Sequence, residues 1–255
     1  MRSSRVTLIL VVFTLLAMIL TVGVVQATPV LSDLLVWFDV STLDLEDGAL
    51  VQEWPDLSEK GYNAVALAEE TTPTFSVDAA NGKPAVLFSA DFLQLGLGDG
   101  YASPFTAFVV VKMDGDEGAG RDNQVFDGMP GGPRFRLGAA MGSFFAVMDT
   151  WPPALQAPFS WPSEDLYQAT VVYGEPGDDS VMRMSGQTVS SSTSMLARNL
   201  PGFTIGARAS QDSQWLFGSI AEIILYSAAL DADQISEVEA YLLDKYGIEV
   251  AVEED

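Results

Sequence analysis

The segment from Trp215 to Ile248 joins an almost continuously apolar strand to a single amphipathic helix. The strand contains Ile220, Ile223, Ile224, Leu225 and Tyr226, a run typical of a strand that is covered on both faces. Because it is the one convincing helical pattern after the N-terminal region, we expect the helix to pack on a β-sandwich formed by the preceding chain.

The helix has sequence signals at both ends. Asp231 suits the N-cap position, Gln234 completes a capping box three residues later, and Gly247 ends the helix. One side of the helix is apolar and the other is charged. The apolar side consists of Ile235, Val238, Leu242 and Tyr246, and the charged side consists of Glu237, Glu239, Asp244 and Lys245. The spacing predicts that the apolar side is buried and the charged side is solvated.

The chain from Leu34 onward consists of short apolar or alternating runs separated by Gly, Pro, Asn and Asp, a pattern typical of an antiparallel sandwich or barrel. Strands are predicted at Leu34–Val40, Thr74–Val77, Ala85–Phe88, Phe92–Leu95, Thr106–Lys112, Gln124–Asp127, Arg134–Leu137, Ser143–Met148, Tyr167–Tyr173, Val181–Met184 and Phe203–Ala207. Tight turns are predicted at Asp47-Gly48, Asn81-Gly82 and Gly186-Gln187. The fold class is therefore all-β with one C-terminal helix.

The N-terminal region has the pattern of an export signal. Arg2 and Arg5 precede an apolar run over residues 6–25, and Val25-Gln26-Ala27 suits a cleavage site. We expect residues 1–27 to be removed and the protein to be secreted or held at the cell surface. The alternative is an uncleaved membrane anchor through residues 6–25, since about 20 apolar residues span a bilayer. Residues 31–248 then form one domain, followed by an acidic tail at 249–255.

Composition excludes several functions. The formal net charge of −23 disfavours nucleic acid as a partner, because the chain repels the phosphate backbone. The sequence contains no histidine and no cysteine, which excludes a Ser-His-Asp or Cys-His nucleophile, the common zinc sites and disulfides. Any catalysis would depend on carboxylates.

The order of several motifs resembles the concanavalin A-like lectin/glucanase superfamily, in particular its bacterial laminin-G-like modules. The matching segments include LLVWFDVSTLDLEDGALVQEWPDLSEKGYNAV, KPAVLFSADFLQL, PFTAFVVVK, RFRLG, FTIGAR and WLFGSIAEIILYSAALDADQISEVEAYL, and they extend from about Leu34 to Ile248. The resemblance implies a two-sheet jelly roll in which one curved sheet and its rim loops bind a carbohydrate or a protein.

The sequence favours binding over catalysis. Laminarinase-type glucanases of this superfamily carry Glu-x-Asp-x-(x)-Glu on one strand, where alternation places the carboxylates on the same face. Here Glu-x-Asp occurs at Glu253–Asp255, at the chain end. We therefore expect a non-catalytic, lectin-like module that binds a glycan. Two alternatives remain open: a surface adhesion module that contacts a cell-surface protein, and a carboxylate-dependent glycosidase or lyase.

Two groups of residues are candidates for ligand binding. The proline-rich segment 150–162 carries Trp151, Phe159 and Trp161, which could stack on sugar rings or could instead complete the core at the rim. Arg134 and Arg136 alternate in RFRLG and so share one strand face. They could anchor an acidic sugar, or they could belong to an ordinary solvent face. Three further tryptophans, Trp37, Trp54 and Trp215, are predicted to lie in the core.

Calcium is the predicted ion, because hard oxygen ligands are abundant and because laminin-G-like domains often hold it at loop ends. One candidate pair is Asp127 with Asp149, each of which follows or ends a predicted strand. The other is Asp114 with Asp116, in a loop that lacks the EF-hand pattern. Ordinary turn chemistry is the alternative for both pairs.

Overall fold

The computed structural model describes residues 32–114, 123–140, 143–148, 155–158, 165–193 and 199–250. These residues form two antiparallel sheets and one C-terminal helix. In spatial order, the first sheet contains β14 (Gln187–Thr193), β13 (Asp179–Met184), β12 (Leu166–Tyr173), β7 (Phe105–Met113), β16 (Phe217–Tyr226), β5 (Ala85–Ser89) and β4 (Thr74–Ser76). An eighth strand, β1 (Leu34–Asp39), pairs with the part of β16 that β5 does not reach.

The second sheet also has eight strands. In spatial order they are β11 (Leu155–Pro158), β10 (Ser143–Met148), β9 (Phe135–Ala140), β8 (Asn123–Gly128), β15 (Leu200–Ile205), β6 (Leu93–Tyr101), β3 (Ala64–Val65) and β2 (Glu53–Trp54). Every predicted strand is present, most of them with shifted ends. The short strands β2 and β3, and the edge strands β11 and β14, were not predicted.

The described residues connect the two sheets along both sides of the sandwich. On one side, the chain before β2 pairs with β4, through Val51 N to Pro73 O at 2.8 Å and Phe75 N to Ala49 O at 2.8 Å. On the other side, Gln156 N of β11 donates to Ser190 Oγ of β14 at 3.2 Å. The edge strand β4 is therefore hydrogen-bonded to the segment before β2, and the edge strands β11 and β14 to each other, which protects these edges.

The turn predictions are confirmed at two of three sites. Asn81 and Gly82 both have positive φ, 52° and 78°, and form the two-residue turn between β4 and β5. Gly48 has φ of 78° in a turn closed by Ala49 N to Glu46 O at 3.0 Å. The third turn lies one residue earlier than predicted, at Ser185-Gly186, because these two residues adopt positive φ.

Apolar side chains from the facing sides of the two sheets form the main core. It includes Trp54, Phe126, Phe135, Leu95 and Ile223, each at most 2% exposed. The other two tryptophans predicted for the core are half-buried at its margin. The Trp37 indole donates to Glu222 Oε1 at 2.8 Å, and Trp215 stacks on Phe92 with ring centroids 6.2 Å apart.

The helix α1 (Ala232–Tyr246) begins and ends as predicted. Gln234 N donates to Asp231 Oδ1 at 2.9 Å, Asp231 N donates to Gln234 Oε1 at 3.1 Å, and Gly247 adopts the left-handed conformation. The helix packs on the outer face of the first sheet, which explains why β16 is apolar on both faces.

Two charged residues of the helix contradict the prediction of a solvated face. Glu239 and Lys245 are both buried, because they lie against polar groups that the strands present on this side of the first sheet. Glu239 accepts from Thr170 Oγ1 at 2.7 Å and from Arg183 Nε and Nη2 at 2.8 Å each. Helical periodicity marks the centre of the buried face, but it does not define how wide that face is.

Candidate functional site

The outer face of the second sheet is the large sheet face that the helix does not cover. We define it as the side of that sheet opposite the core. Strand alternation places on it one cross-strand row, made by Glu53, Val65, Gln94, Thr204 and Asp127 from β2, β3, β6, β15 and β8. Arg136 and Val147 continue this row on β9 and β10. Five of these seven side chains are polar: Glu53 is exposed and Gln94 half-buried, whereas Thr204, Asp127 and Arg136 are buried.

A second row on the outer face combines an aromatic ring with amide groups. Gln124, Gly138, Phe145 and Gln156 are successive partners on β8, β9, β10 and β11. Phe145 forms a small apolar cluster with Val147 and Ala140 that is separate from the main core. The Arg136 guanidinium carbon lies 6.0 Å from the centroid of the Phe145 ring, within cation–π range.

Two glycines leave this face without side chains at specific points. At Gly138, between Gln124 and Phe145, a Cβ atom would lie 2.0 Å from the Asn123 carbonyl oxygen, so the close approach of β8 and β9 requires glycine there. At Gly96 a Cβ would meet nothing within 4 Å. Gly96 is exposed next to the half-buried Gln94, and this part of the outer face is open to solvent.

Asp127 is the most strongly hydrogen-bonded group on the outer face. Its carboxylate is fully buried and accepts from Arg134 Nε at 3.0 and 3.1 Å, and also from Arg134 Nη2. Gly128 N donates to Oδ1 at 2.7 Å, and Ala209 N donates to Oδ2 at 3.0 Å. These donors compensate the desolvation of the charge and fix the 206–216 loop against β8.

Gln124 and Thr204, in contrast to Asp127, are buried without side-chain hydrogen-bond partners among the described residues. Both residues are 0% exposed. Within the described part of the chain, neither the amide oxygen and nitrogen of Gln124 nor the hydroxyl of Thr204 has a hydrogen-bond partner. Buried polar groups in folded proteins are nearly always satisfied, and each one that is not requires an explanation. These two lie on the same face, on neighbouring strands.

The structure separates the sequence-predicted residues. Arg134 and Asp127, which were assigned to different functions, form one ion pair, while Arg136 lies further into the outer face and is 9% exposed. Asp114 forms an exposed ion pair with Lys112 Nζ at 3.0 Å. No group of three or more Asp or Glu residues suited to a metal ion occurs among the residues that are described. The remaining five candidates lie outside the described residues: Asp116, Asp149, Trp151, Phe159 and Trp161.

A buried charge cluster beneath the helix is a second polar centre, and the sequence analysis did not predict it. Lys245 Nζ donates to Glu222 Oε2 at 2.6 Å, to Asp39 Oδ2 at 2.7 Å and to Tyr241 Oη at 3.0 Å. Glu222 also accepts from Tyr241 Oη and Tyr246 Oη, both at 2.9 Å. Burial raises the pKa of the Glu222 carboxyl and of both phenols. Because every donor of Lys245 is used, this cluster holds the helix in place and offers no free group to a ligand.

Two surface clefts lie at other positions. One of about 440 Å³ is lined by residues that include Asn81, Asp165, Tyr167 and Glu249. The other, of about 400 Å³, includes Asp33, Ser58 and Lys60. Among the described residues that line them, neither cleft contains a buried side chain without a hydrogen-bond partner, whereas the outer face of the second sheet contains Gln124 and Thr204.

The fold and this face define an antiparallel jelly-roll sandwich with a C-terminal helix on one sheet and a polar outer face on the other. No family model matches the chain, and no curated protein gives a significant sequence match. Solved structures do match in fold. Domain 4 of AbnA, a GH43 extracellular arabinanase from Geobacillus stearothermophilus in complex with arabinotriose, is 15% identical with a TM-score of 0.59, covering 81% of this chain and 98% of that domain.

Two other solved structures have the same fold over most of this chain. Sialidase from Trypanosoma rangeli is 14% identical with a TM-score of 0.59, over 84% of this chain and 33% of the sialidase. The binding domain of Paraclostridial Mosquitocidal Protein 1 is 12% identical with a TM-score of 0.57, over 83% of this chain and 52% of that domain. The chain thus spans about a third of the sialidase and about half of the toxin domain. These identities show the fold alone.

Among the described residues, no helix is both long and apolar enough to cross a bilayer. The apolar run at 6–25 lies outside them.

Proposed function

We propose that this protein is a non-catalytic carbohydrate-binding module of the concanavalin A-like, laminin-G-like type, and that the outer face of its second sheet binds the glycan. The observation that carries the proposal is the cross-strand row of polar side chains from Gln94 through Thr204 and Asp127 to Arg136. The arabinotriose-bound arabinanase domain, which matches this fold over nearly its whole length, supports a carbohydrate as the ligand.

The geometry of the face suits a sugar chain. Neighbouring strands are about 4.8 Å apart, so side chains in one row repeat at a distance close to that between successive sugar residues. Gln94 and Gly96 provide an open polar strip at one side, and Gln156 provides an exposed amide at the other. At the centre of the row, the Asp127 carboxylate and the Arg134 guanidinium neutralise each other. A sugar that binds there does not have to desolvate an unpaired charge.

Three buried carboxylates, one at the outer face and two beneath the helix, are bound to protein donors and do not form a glycosidase pair. Asp127 is committed to Arg134 and two backbone amides, and the buried Glu222 and Asp39 share Lys245 beneath the helix. A general acid needs a carboxyl that can exchange its proton with substrate, and these groups face protein donors instead. This supports a binding role over hydrolysis.

A glycan array probed with the full chain tests the proposal. The wild-type protein is expected to bind a limited set of oligosaccharides, and Gln94→Ala is expected to lose that binding because it removes an accessible amide from the row. Glu70→Ala, an exposed change near β4, is the matched control and should bind as wild type. Absence of binding to any glycan by the folded wild-type protein would refute the function.

Two sequence-derived proposals accompany this one and are tested in the same assay. Trp151 and Trp161 are proposed to stack on sugar rings; replacing both with Ala should then abolish binding with little change in Tm. A collapse of Tm would show that these rings belong to the core. Calcium is proposed to assist, so adding it should raise both Tm and affinity, and an unchanged Tm would refute a calcium site.

A further inference from the structure

We propose that the outer face selects neutral sugars, and that Gln124 and Thr204 are the groups that recognise their hydroxyls. This inference rests on the proposed function. It adds a ligand class and two specificity-determining residues that the sequence did not indicate.

Gln124 and Thr204 have hydrogen-bonding capacity that the described part of the protein does not use. Gln124 offers two donors and an acceptor, and Thr204 offers one donor and an acceptor, in a region where both side chains are fully buried. A buried polar group without a partner destabilises the free protein. Its presence is explained if a ligand supplies the missing partner, and a sugar hydroxyl can both donate and accept.

The charged groups of the face do not suit an acidic sugar. Arg134 lies at this face, but its Nε and Nη2 atoms donate to Asp127, so it is not available as an anchor for a sugar carboxylate. Arg136, the other cation of the row, lies over the Phe145 ring and is 9% exposed. The two side chains of this face that lack hydrogen-bond partners among the described residues, Gln124 and Thr204, are both neutral. The net charge of −23 also repels an anionic ligand at long range. An acidic sugar thus has no complementary charge in the Gln94–Thr204–Asp127 part of the row.

Thr204 lies next to the accessible part of the outer face. Thr204 is the direct cross-strand partner of Gln94, which is half-buried beside the exposed Gly96. The Thr204 hydroxyl is therefore one strand spacing, about 4.8 Å, from the accessible strip. Because Thr204 is fully buried, a sugar bound on Gln94 reaches this hydroxyl by displacing the side chains that cover it.

The test measures stability and binding on the same variants. Thr204→Val and Gln124→Leu remove the polar atoms and keep the volume, so Tm should stay unchanged or rise, while affinity for a neutral oligosaccharide such as arabinotriose should fall by about tenfold or more. Thr106→Val is the matched control. Thr106 is equally buried, but its hydroxyl donates to Ala228 O at 2.8 Å and accepts from Leu230 N at 3.0 Å, so this variant should lose Tm.

Each outcome decides the inference. If Thr204→Val and Gln124→Leu lower Tm as Thr106→Val does, the two side chains have structural partners, such as a buried water, and the inference is wrong. Wild-type binding of sialic acid as tight as that of neutral oligosaccharides would also overturn it. If the wild type binds glycans and both variants bind equally well, this inference fails while the proposed function stands. If the wild type binds no glycan, the proposed function itself fails.

Discussion

The guanidinium of Arg134 and the buried carboxylate of Asp127 form an ion pair through two nitrogens at the outer face of the second sheet. The spacing in the sequence makes Arg134 and Arg136 together a candidate anchor for an anion. In the structure, the connection from β8 to β9 places Arg134 opposite Asp127 instead. The pair makes this part of the face neutral while keeping it polar.

Removing one partner of this ion pair should lower the free energy of unfolding. Arg134→Met leaves Asp127 buried with only its backbone donors, and we expect a loss of about 3 kcal/mol in the free energy of unfolding. Urea unfolding measures it. The double variant Arg134→Met with Asp127→Asn should recover part of the loss, since no unpaired charge remains. A single variant within about 0.5 kcal/mol of wild type would contradict the pairing.

The charge cluster beneath the helix gives a second stability prediction. Lys245→Met leaves the Asp39 and Glu222 carboxylates buried without their shared cation, and it should cost about 3–5 kcal/mol. Lys83→Met, at an exposed lysine, is the control and should lie within about 0.5 kcal/mol of wild type. Equal, small effects of the two variants in urea unfolding would show that Lys245 does not hold the helix.

Glu222 makes stability depend on pH in a defined direction. Burial is the largest cause of its raised pKa, so the folded state binds this proton more tightly than the unfolded state does. Its contribution to stability is fully present below the unfolded pKa of about 4.5 and is lost as pH rises through the higher folded pKa.

The comparison with Glu222→Gln isolates this effect, because Asp91, whose pKa is also raised by burial, contributes equally to both proteins. As pH falls from 7 toward about 4.5, the unfolding free energy of wild type should increase relative to that of the variant. Parallel pH profiles for the two proteins would rule out a titrating Glu222 in that window.

Glycine at 138 is required by strand spacing. Gly138→Ala would place a Cβ 2.0 Å from the Asn123 carbonyl oxygen, so β8 and β9 must separate, at a cost of about 1–3 kcal/mol. Gly96→Ala is the matched change on the same face, and its Cβ meets nothing within 4 Å. We expect a clear fall of Tm for the first variant and almost none for the second; similar Tm values would contradict the close approach of these two strands.

Local signals in the sequence were sufficient for much of the fold. The helix ends at Asp231 and Gly247 follow from capping chemistry, and the Asn81-Gly82 turn follows from the need for positive φ. The apolar run of β16 correctly indicated burial on both faces. These features depend on neighbours within a few residues, so a single sequence contains the information.

The functional face depends on neighbours that are distant in sequence. Thr204 meets Gln94 and Asp127 only after three strands from separate parts of the chain pair in register. Glu239 and Lys245 have ordinary surface positions on a helical wheel and become buried because Arg183, Glu222 and Asp39 arrive from other strands. No spacing rule within one segment could predict either set.

The most direct test of the central claim is an amide NMR titration of the full chain with the neutral oligosaccharide that an array identifies. We expect chemical-shift changes that concentrate on β6, β15 and β8, at Gln94, Thr204 and Asp127, with the helix residues unchanged. Shifts that concentrate on α1 and the first sheet, or no shifts at saturating sugar, would contradict it.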